Sequence, residues 1–227
     1  MAEGVTILRA APSLAAVEVV KRPLQSAIVL GAYVSDCTEF SLLYQGRDSV
    51  AFRAYFDKNL RTYGFPREIC SDLTGHISRL FEDFRDATQS ESVEAYLILR
   101  RPRARSHWHI DHYRANALQF VTTLAGYPNT PFLLSHDYDR AEFERYRLKM
   151  SERQTEIQKL SCDDPLLYSL KTEMNRLGDG KIPRFVSGDL LFNGEELFHA
   201  SPRSPVSRLI FAMSTSCSDG NEQSSRI

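Results

Sequence analysis

His107-Trp108-His109-Ile110-Asp111 and, further along, Gly188-Asp189-Leu190-Leu191-Phe192-Asn193-Gly194 leading to His199, with Arg208 nine residues beyond, decide how this chain is read. In an extended strand, residues i and i+2 point to the same face, so His109 and Asp111 present an imidazole and a carboxylate side by side. A His-x-Asp triplet alone is unspecific in a chain with six histidines; the second stretch supplies the specificity. Asn193-Gly194 between two apolar runs signals a two-residue hairpin, because both turn residues need positive φ, and that hairpin delivers His199 near the end of its second strand. Arg208 opens a further strand, running to Ser214, in which residues 208, 210, 212 and 214 share one face. Two imidazoles and one carboxylate on one side of a metal leave the opposite positions open, which suits non-haem Fe(II) that binds a co-substrate and dioxygen. A guanidinium beside such a metal can clamp a carboxylate bidentately.

These residues resemble the Fe(II)/2-oxoglutarate-dependent dioxygenase superfamily, in which His-x-Asp, a distal His and a basic residue downstream sit on a double-stranded β-helix. The resemblance covers roughly residues 93–214. It implies Fe(II) held by His109, Asp111 and His199, with Arg208 binding the far carboxylate of 2-oxoglutarate while the keto acid end chelates iron. A second resemblance is to an uncharacterised bacterial family with a helical N-terminal part and the pattern R-x-H-[VI]-D … T-x-x-G-x-x-T. Here the pattern runs His107-Trp108-His109-Ile110-Asp111 … Thr123-Leu124-Ala125-Gly126-Tyr127-Pro128-Asn129-Thr130. The chain departs from that family in lacking a Cys just before the triplet and in carrying a long charged insertion.

Composition bounds the scaffold. The chain has 227 residues, 42% of them hydrophobic, with 13 Phe and 10 Tyr, so a packed core needs no disulfide staples. Lys plus Arg total 28 against 29 Asp plus Glu, and no global field draws nucleic acid or an anionic membrane. Cys37, Cys70, Cys162 and Cys217 form no CxxC pair and read as reduced thiols. The run Ala27–Val34 is too short to span a bilayer, and the reading is a soluble, cytoplasmic protein.

The layout reads as α+β with a mainly β core: a jelly-roll or cupin-like double-stranded β-helix preceded by helices. A single domain is expected over 1–214, with 1–92 mainly helical, 93–214 forming the β core, and 215–227 a polar, frayed tail. Helical spacing marks 48–61 and 67–87; Val5–Leu8 and Ala27–Val34 could be strands. Strands are expected at Val93–Leu99, Ala117–Leu124, Pro131–Leu134, Phe185–Val186, Asp189–Phe192, Glu195–His199 and Arg208–Ser214. Between them, residues 137–178 carry Phe143, Tyr146, Met150 and Ile157 at helical spacing among dense charges, a helical insertion that would serve as a lid or as a homodimer contact.

Other residues admit plainer readings. His107 shares a strand face with His109 and is the alternative ligand; His112 and His136 read as surface or turn histidines. Tyr96 and Gln119 on neighbouring strands could hydrogen-bond 2-oxoglutarate, against the plainer roles of core tyrosine and ordinary amide. Arg100-Arg101-Pro102-Arg103-Ala104-Arg105 reads first as a solvated strand end and second as a grip for an anionic substrate. The expected activity is oxidative decarboxylation of 2-oxoglutarate coupled to hydroxylation or another oxidation of a small-molecule or peptide substrate. The alternative is a non-catalytic cupin-like barrel that binds a metal or ligand.

Overall fold

The computed structural model describes residues 8–9, 30, 33–34, 38–101, 118–126, 132–133, 139–152, 165–178, 190–193, 198–199 and 206–215. Among these are eight strands, β1 (Leu8–Arg9), β2 (Phe40–Gly46), β3 (Val93–Arg100), β4 (Leu118–Ala125), β5 (Phe132–Leu133), β6 (Leu190–Asn193), β7 (Phe198–His199) and β8 (Arg208–Thr215). Four helices accompany them: α1 (Ser49–Thr62), α2 (Arg67–Thr88), α3 (Arg140–Glu152) and α4 (Pro165–Gly178). Six strands form one sheet in the order β1-β6-β4-β8-β3-β2, antiparallel except for the β1/β6 edge; β5 and β7 form a second, two-stranded antiparallel sheet.

The two long helices exist because each sequence buries one stripe, and a side chain caps the start of the first. Asp48 caps α1, its carboxylate accepting from the Val50 and Ala51 amides at 2.8 and 3.1 Å. Gly64, at φ +81°, makes the turn that follows, and Pro66 starts α2, where its missing N–H costs nothing. Phe52, Phe56 and Leu60 on α1 and Leu73, Ile77, Leu80, Phe81 and Phe84 on α2 are buried in one cluster with Val93, Ala95, Leu97 and Leu99 of β3 and Leu209, Phe211 and Met213 of β8. Phe52 stacks on Phe81 at 4.2 Å and meets Phe56, Phe211 and Tyr44 edge-on or tilted. Truncating Phe52 to Ala is expected to destabilise the fold by about 3–5 kcal/mol, read as a lower denaturant midpoint at unchanged slope.

Register assigns the other face. Ala95, Leu97 and Leu99 pair with Met213, Phe211 and Leu209, all toward the helices. The intervening pairs, Tyr96 with Ala212, Ile98 with Ile210 and Arg100 with Arg208, point away from them. On β4 the partners of Ser214, Ala212 and Ile210 are Gln119, Val121 and Thr123, on that same second face. This face is buried over β4 and β8, at Gln119, Ser214 and Arg208, and open over β2, where Leu43 is 44% exposed.

Several elements differ from the sequence reading. Within Ala27–Val34, the described Leu30, Tyr33 and Val34 are helical; Leu30 and Val34 stand four apart on one helix face and both are buried, while Tyr33 packs on Phe65 and donates to the Gly64 carbonyl. β2 was not expected at all. Its inward residues Phe40 and Leu42 are buried against the core, but Leu43 on the outward face breaks the apolar–polar alternation and the run is short, so the strand does not stand out. Of the expected hairpin, the turn residue Gly194 and the return residues up to 197 lie outside the described residues; among the described residues, β6 pairs with β1 and β4, and β7 pairs with β5 in the other sheet. Within the insertion the described residues form two helices, α3 and α4, that pack on each other and leave Leu148 and Tyr168 exposed. Residues 215–227, apart from Thr215, lie outside the described residues, as do Phe185, Val186 and Glu195.

Candidate active site

Of the three expected iron ligands, His199 is described; His109 and Asp111, like His107, lie outside the described residues. His199 is half-buried at the end of β7, directly opposite Phe132 of β5. Among the described residues no group of three His, Cys, Asp or Glu side chains converges on a metal position, as expected when two of the proposed ligands fall in 102–117.

Arg208 is the most constrained polar residue of the second face. It opens β8 and is 3% exposed. Its Nη2 donates to Thr123 Oγ1 at 3.2 Å, and its Nε has no hydrogen-bond partner. No carboxylate pairs with it among the described residues, and burial pushes its pKa down to about 10. Among the described residues, Arg208 is thus a buried cation with no acidic partner, an arrangement that costs free energy until an anion arrives.

The two other residues expected to touch the co-substrate share that face but not that position. Tyr96 sits opposite Ala212, and its hydroxyl donates to Glu94 Oε2 at 3.2 Å. Gln119, 6% exposed with Nε2 unpartnered, sits opposite Ser214. At about 3.3 Å per residue, Tyr96 and Gln119 are displaced along the strands from Arg208 by roughly 13 and 20 Å. The structure brings Arg208 together instead with Thr123, which in the sequence stands only as the first residue of the pattern Thr123-Leu124-Ala125-Gly126, with no role attached.

Neighbouring features are ordinary by comparison. Arg100 and Arg101 are exposed, and the Arg101 amide donates to Glu39 Oε1 at 2.8 Å, in keeping with a solvated strand end. Cys70 is buried and its thiol donates to the Phe65 carbonyl; burial raises its pKa, so it is an inert thiol. A groove of about 790 Å³ on the outer side of α1 and α2, lined among others by Arg53, Ser71 and Gly75 and by the ion-paired Asp57 and Arg61, lies across the helical layer from Arg208. No helix among the described residues is long and apolar enough to cross a membrane.

No family model matches the chain, and no curated protein matches it. Among solved structures it is similar to a Pseudomonas putida prolyl-4-hydroxylase, with 13% identity over 82% of this chain and 90% of that one, at a TM-score of 0.35. It is also similar to HygX from Streptomyces hygroscopicus with nickel and 2-oxoglutarate bound, with 18% identity over 81% and 84% of the two chains and a TM-score of 0.36. A further match is to a DMSP lyase structure, at 7% identity and a TM-score of 0.27, covering 57% of this chain; the chain spans 42% of that protein's length.

Proposed function

We propose that the chain is an Fe(II)- and 2-oxoglutarate-dependent oxygenase on a double-stranded β-helix. The observation that carries the reading is Arg208: a buried guanidinium without an acidic partner among the described residues, nine residues after His199, at the start of a strand. A cation so placed fits one carboxylate of a dicarboxylic co-substrate. The chain path is consistent with the scaffold, since β4, β5, β6, β7 and β8 alternate between the six-stranded and the two-stranded sheet, as a jelly roll requires.

The donor set His109, Asp111 and His199 fits a mononuclear iron, being two nitrogens and one carboxylate. When bound, the iron would supply the dioxygen chemistry that protein side chains cannot. The chain's own residues hold and orient. Arg208 binds the distal carboxylate of 2-oxoglutarate; the apolar second face at Ile98, Val121, Ile210 and Ala212 gives the carbon chain a dry surface.

The test is an anaerobic titration of the apoprotein with Fe(II) and then 2-oxoglutarate, followed by oxygen. The expected result is a weak visible absorption band on adding the keto acid, and succinate after oxygen is admitted. Metal uptake with neither band nor succinate would instead assign a non-catalytic metal-binding barrel.

A further inference from the structure

We infer that Gly126 and Thr123 are positioning residues that fix the Arg208 side chain as a length gauge for the dicarboxylate; the choice of ligand rests on the function proposed above. Gly126 has φ +87°, a conformation open to glycine and costly for a residue with Cβ. A Cβ there would sit 2.2 Å from the Ser207 carbonyl oxygen, 3.0 Å from Arg208 Cα and 3.2 Å from Arg208 Cγ. The end of β4 therefore lies directly on the backbone and stem of Arg208, and two of those three neighbours are backbone atoms that cannot swing aside.

The register explains why Thr123 is within reach. Thr123 pairs with Ile210, but Leu209 pairs with Ala125, so β4 holds one extra residue, Leu124, in a bulge. A bulge lets consecutive side chains face one side and bends its strand; both Leu124 and Ala125 are in the core cluster. Thr123 stays on the second face, diagonal to Arg208, and its hydroxyl takes Nη2. The guanidinium is thus held at two points, the stem by Gly126 and one amino group by Thr123, with Nε left for a ligand.

A cation held this way cannot follow a carboxylate that lies closer or farther. The five-carbon 2-oxoglutarate and the six-carbon 2-oxoadipate place their distal carboxylates differently relative to the keto acid end, so a fixed Arg208 separates them and a loosened one does not. Thr123→Val removes the hydroxyl while keeping shape; Thr123→Ser keeps the hydroxyl.

Calorimetric binding of 2-oxoglutarate and 2-oxoadipate to the full chain loaded with Mn(II) reads this directly, with Mn(II) uptake measured alongside. Thr123→Val is expected to weaken 2-oxoglutarate about tenfold, as loss of a hydrogen bond to a charged group does, and to shrink the preference over 2-oxoadipate, with Mn(II) uptake unchanged and Thr123→Ser restoring both. Gly126→Ala is expected to weaken binding at least as much; if it does not fold, Thr123→Val carries the test. Wild-type affinity and preference in a folded Thr123→Val protein overturn the inference. If the wild type binds neither dicarboxylate, the function proposed above fails, and the ¹H–¹⁵N signal of the Arg208 Nη2 amino group, which donates to Thr123, decides the positioning. A slowly exchanging signal in the wild type and Thr123→Ser that is lost in Thr123→Val upholds it, and an identical signal in all three overturns it.

Discussion

Arg208→Leu is expected to abolish 2-oxoglutarate binding and, in the same protein, to raise the melting temperature by roughly 2–16 °C. The two effects have one cause. The wild-type guanidinium is buried with its Nε unpartnered, and replacing a buried, poorly compensated charge with a well-packed apolar residue stabilises by about 1–4 kcal/mol. Each kcal/mol corresponds to roughly 2–4 °C in a domain of this size. Burial lowers the Arg208 pKa from its ordinary value to about 10. For a base with a depressed folded-state pKa, the penalty is full below the folded value and lifts only as pH rises through it, because there the unfolded chain holds the proton that the native state has lost. The gain in the Leu variant is therefore flat from about pH 6 to 9. Thermal denaturation with and without 2-oxoglutarate measures both halves: ligand stabilises the wild type and leaves the variant unmoved. A variant less stable than wild type would mean that Arg208 is already compensated.

His199→Ala is expected to lose the metal, with affinity falling more than about 100-fold, beyond the 10–100-fold effect of residues that only support a ligand. The substitution is clean: His199 is held by backbone pairing with Phe132, so the strand survives loss of the imidazole while the metal would keep two donors of three. Asp111→Ala should behave the same way and His107→Ala should not, which separates His109 from its neighbour as the ligand. Metal content after dialysis, together with succinate formed on adding oxygen, reads all three. A His199→Ala protein that retains iron and turnover would end the assignment.

The residues that announced themselves in the sequence are those whose chemistry depends on spacing along one segment. The helix 67–88 was legible because Leu73, Ile77 and Phe84 recur at helical intervals; the helix 49–62 was legible from Val50, Ala51, Ala54, Tyr55 and Leu60, but the stripe it buries is Phe52, Phe56 and Leu60, and Val50 faces solvent. β3, β4 and β8 were legible as compact apolar runs. What escaped depends on partners far away in the chain. β2 is recognisable only through its pairing with β3, and β7 through its pairing with β5, from which the helical insertion separates it in the chain. Arg208 was legible as a candidate from its distance to His199. Thr123 and Gly126 were not: a bulge 85 residues from Arg208 brings the Thr123 hydroxyl to it, and the requirement for glycine at 126 comes from Ser207 and Arg208, not from its own neighbours.

The central position of β8 governs when this protein can become itself. It is the last described strand to leave the ribosome, yet it lies between β3 and β4, pairing Val93 with Thr215 at one end. Until it arrives, the nascent chain carries β3 with one unpaired edge and an apolar face whose far half is missing. Such long-range closure makes folding slow, on the order of milliseconds to seconds, and leaves a sticky intermediate for the whole of synthesis. A chain cut short before Arg208 would lack the strand that joins β3 to β4, and its expected fate is aggregation or degradation, whatever the condition of its metal ligands.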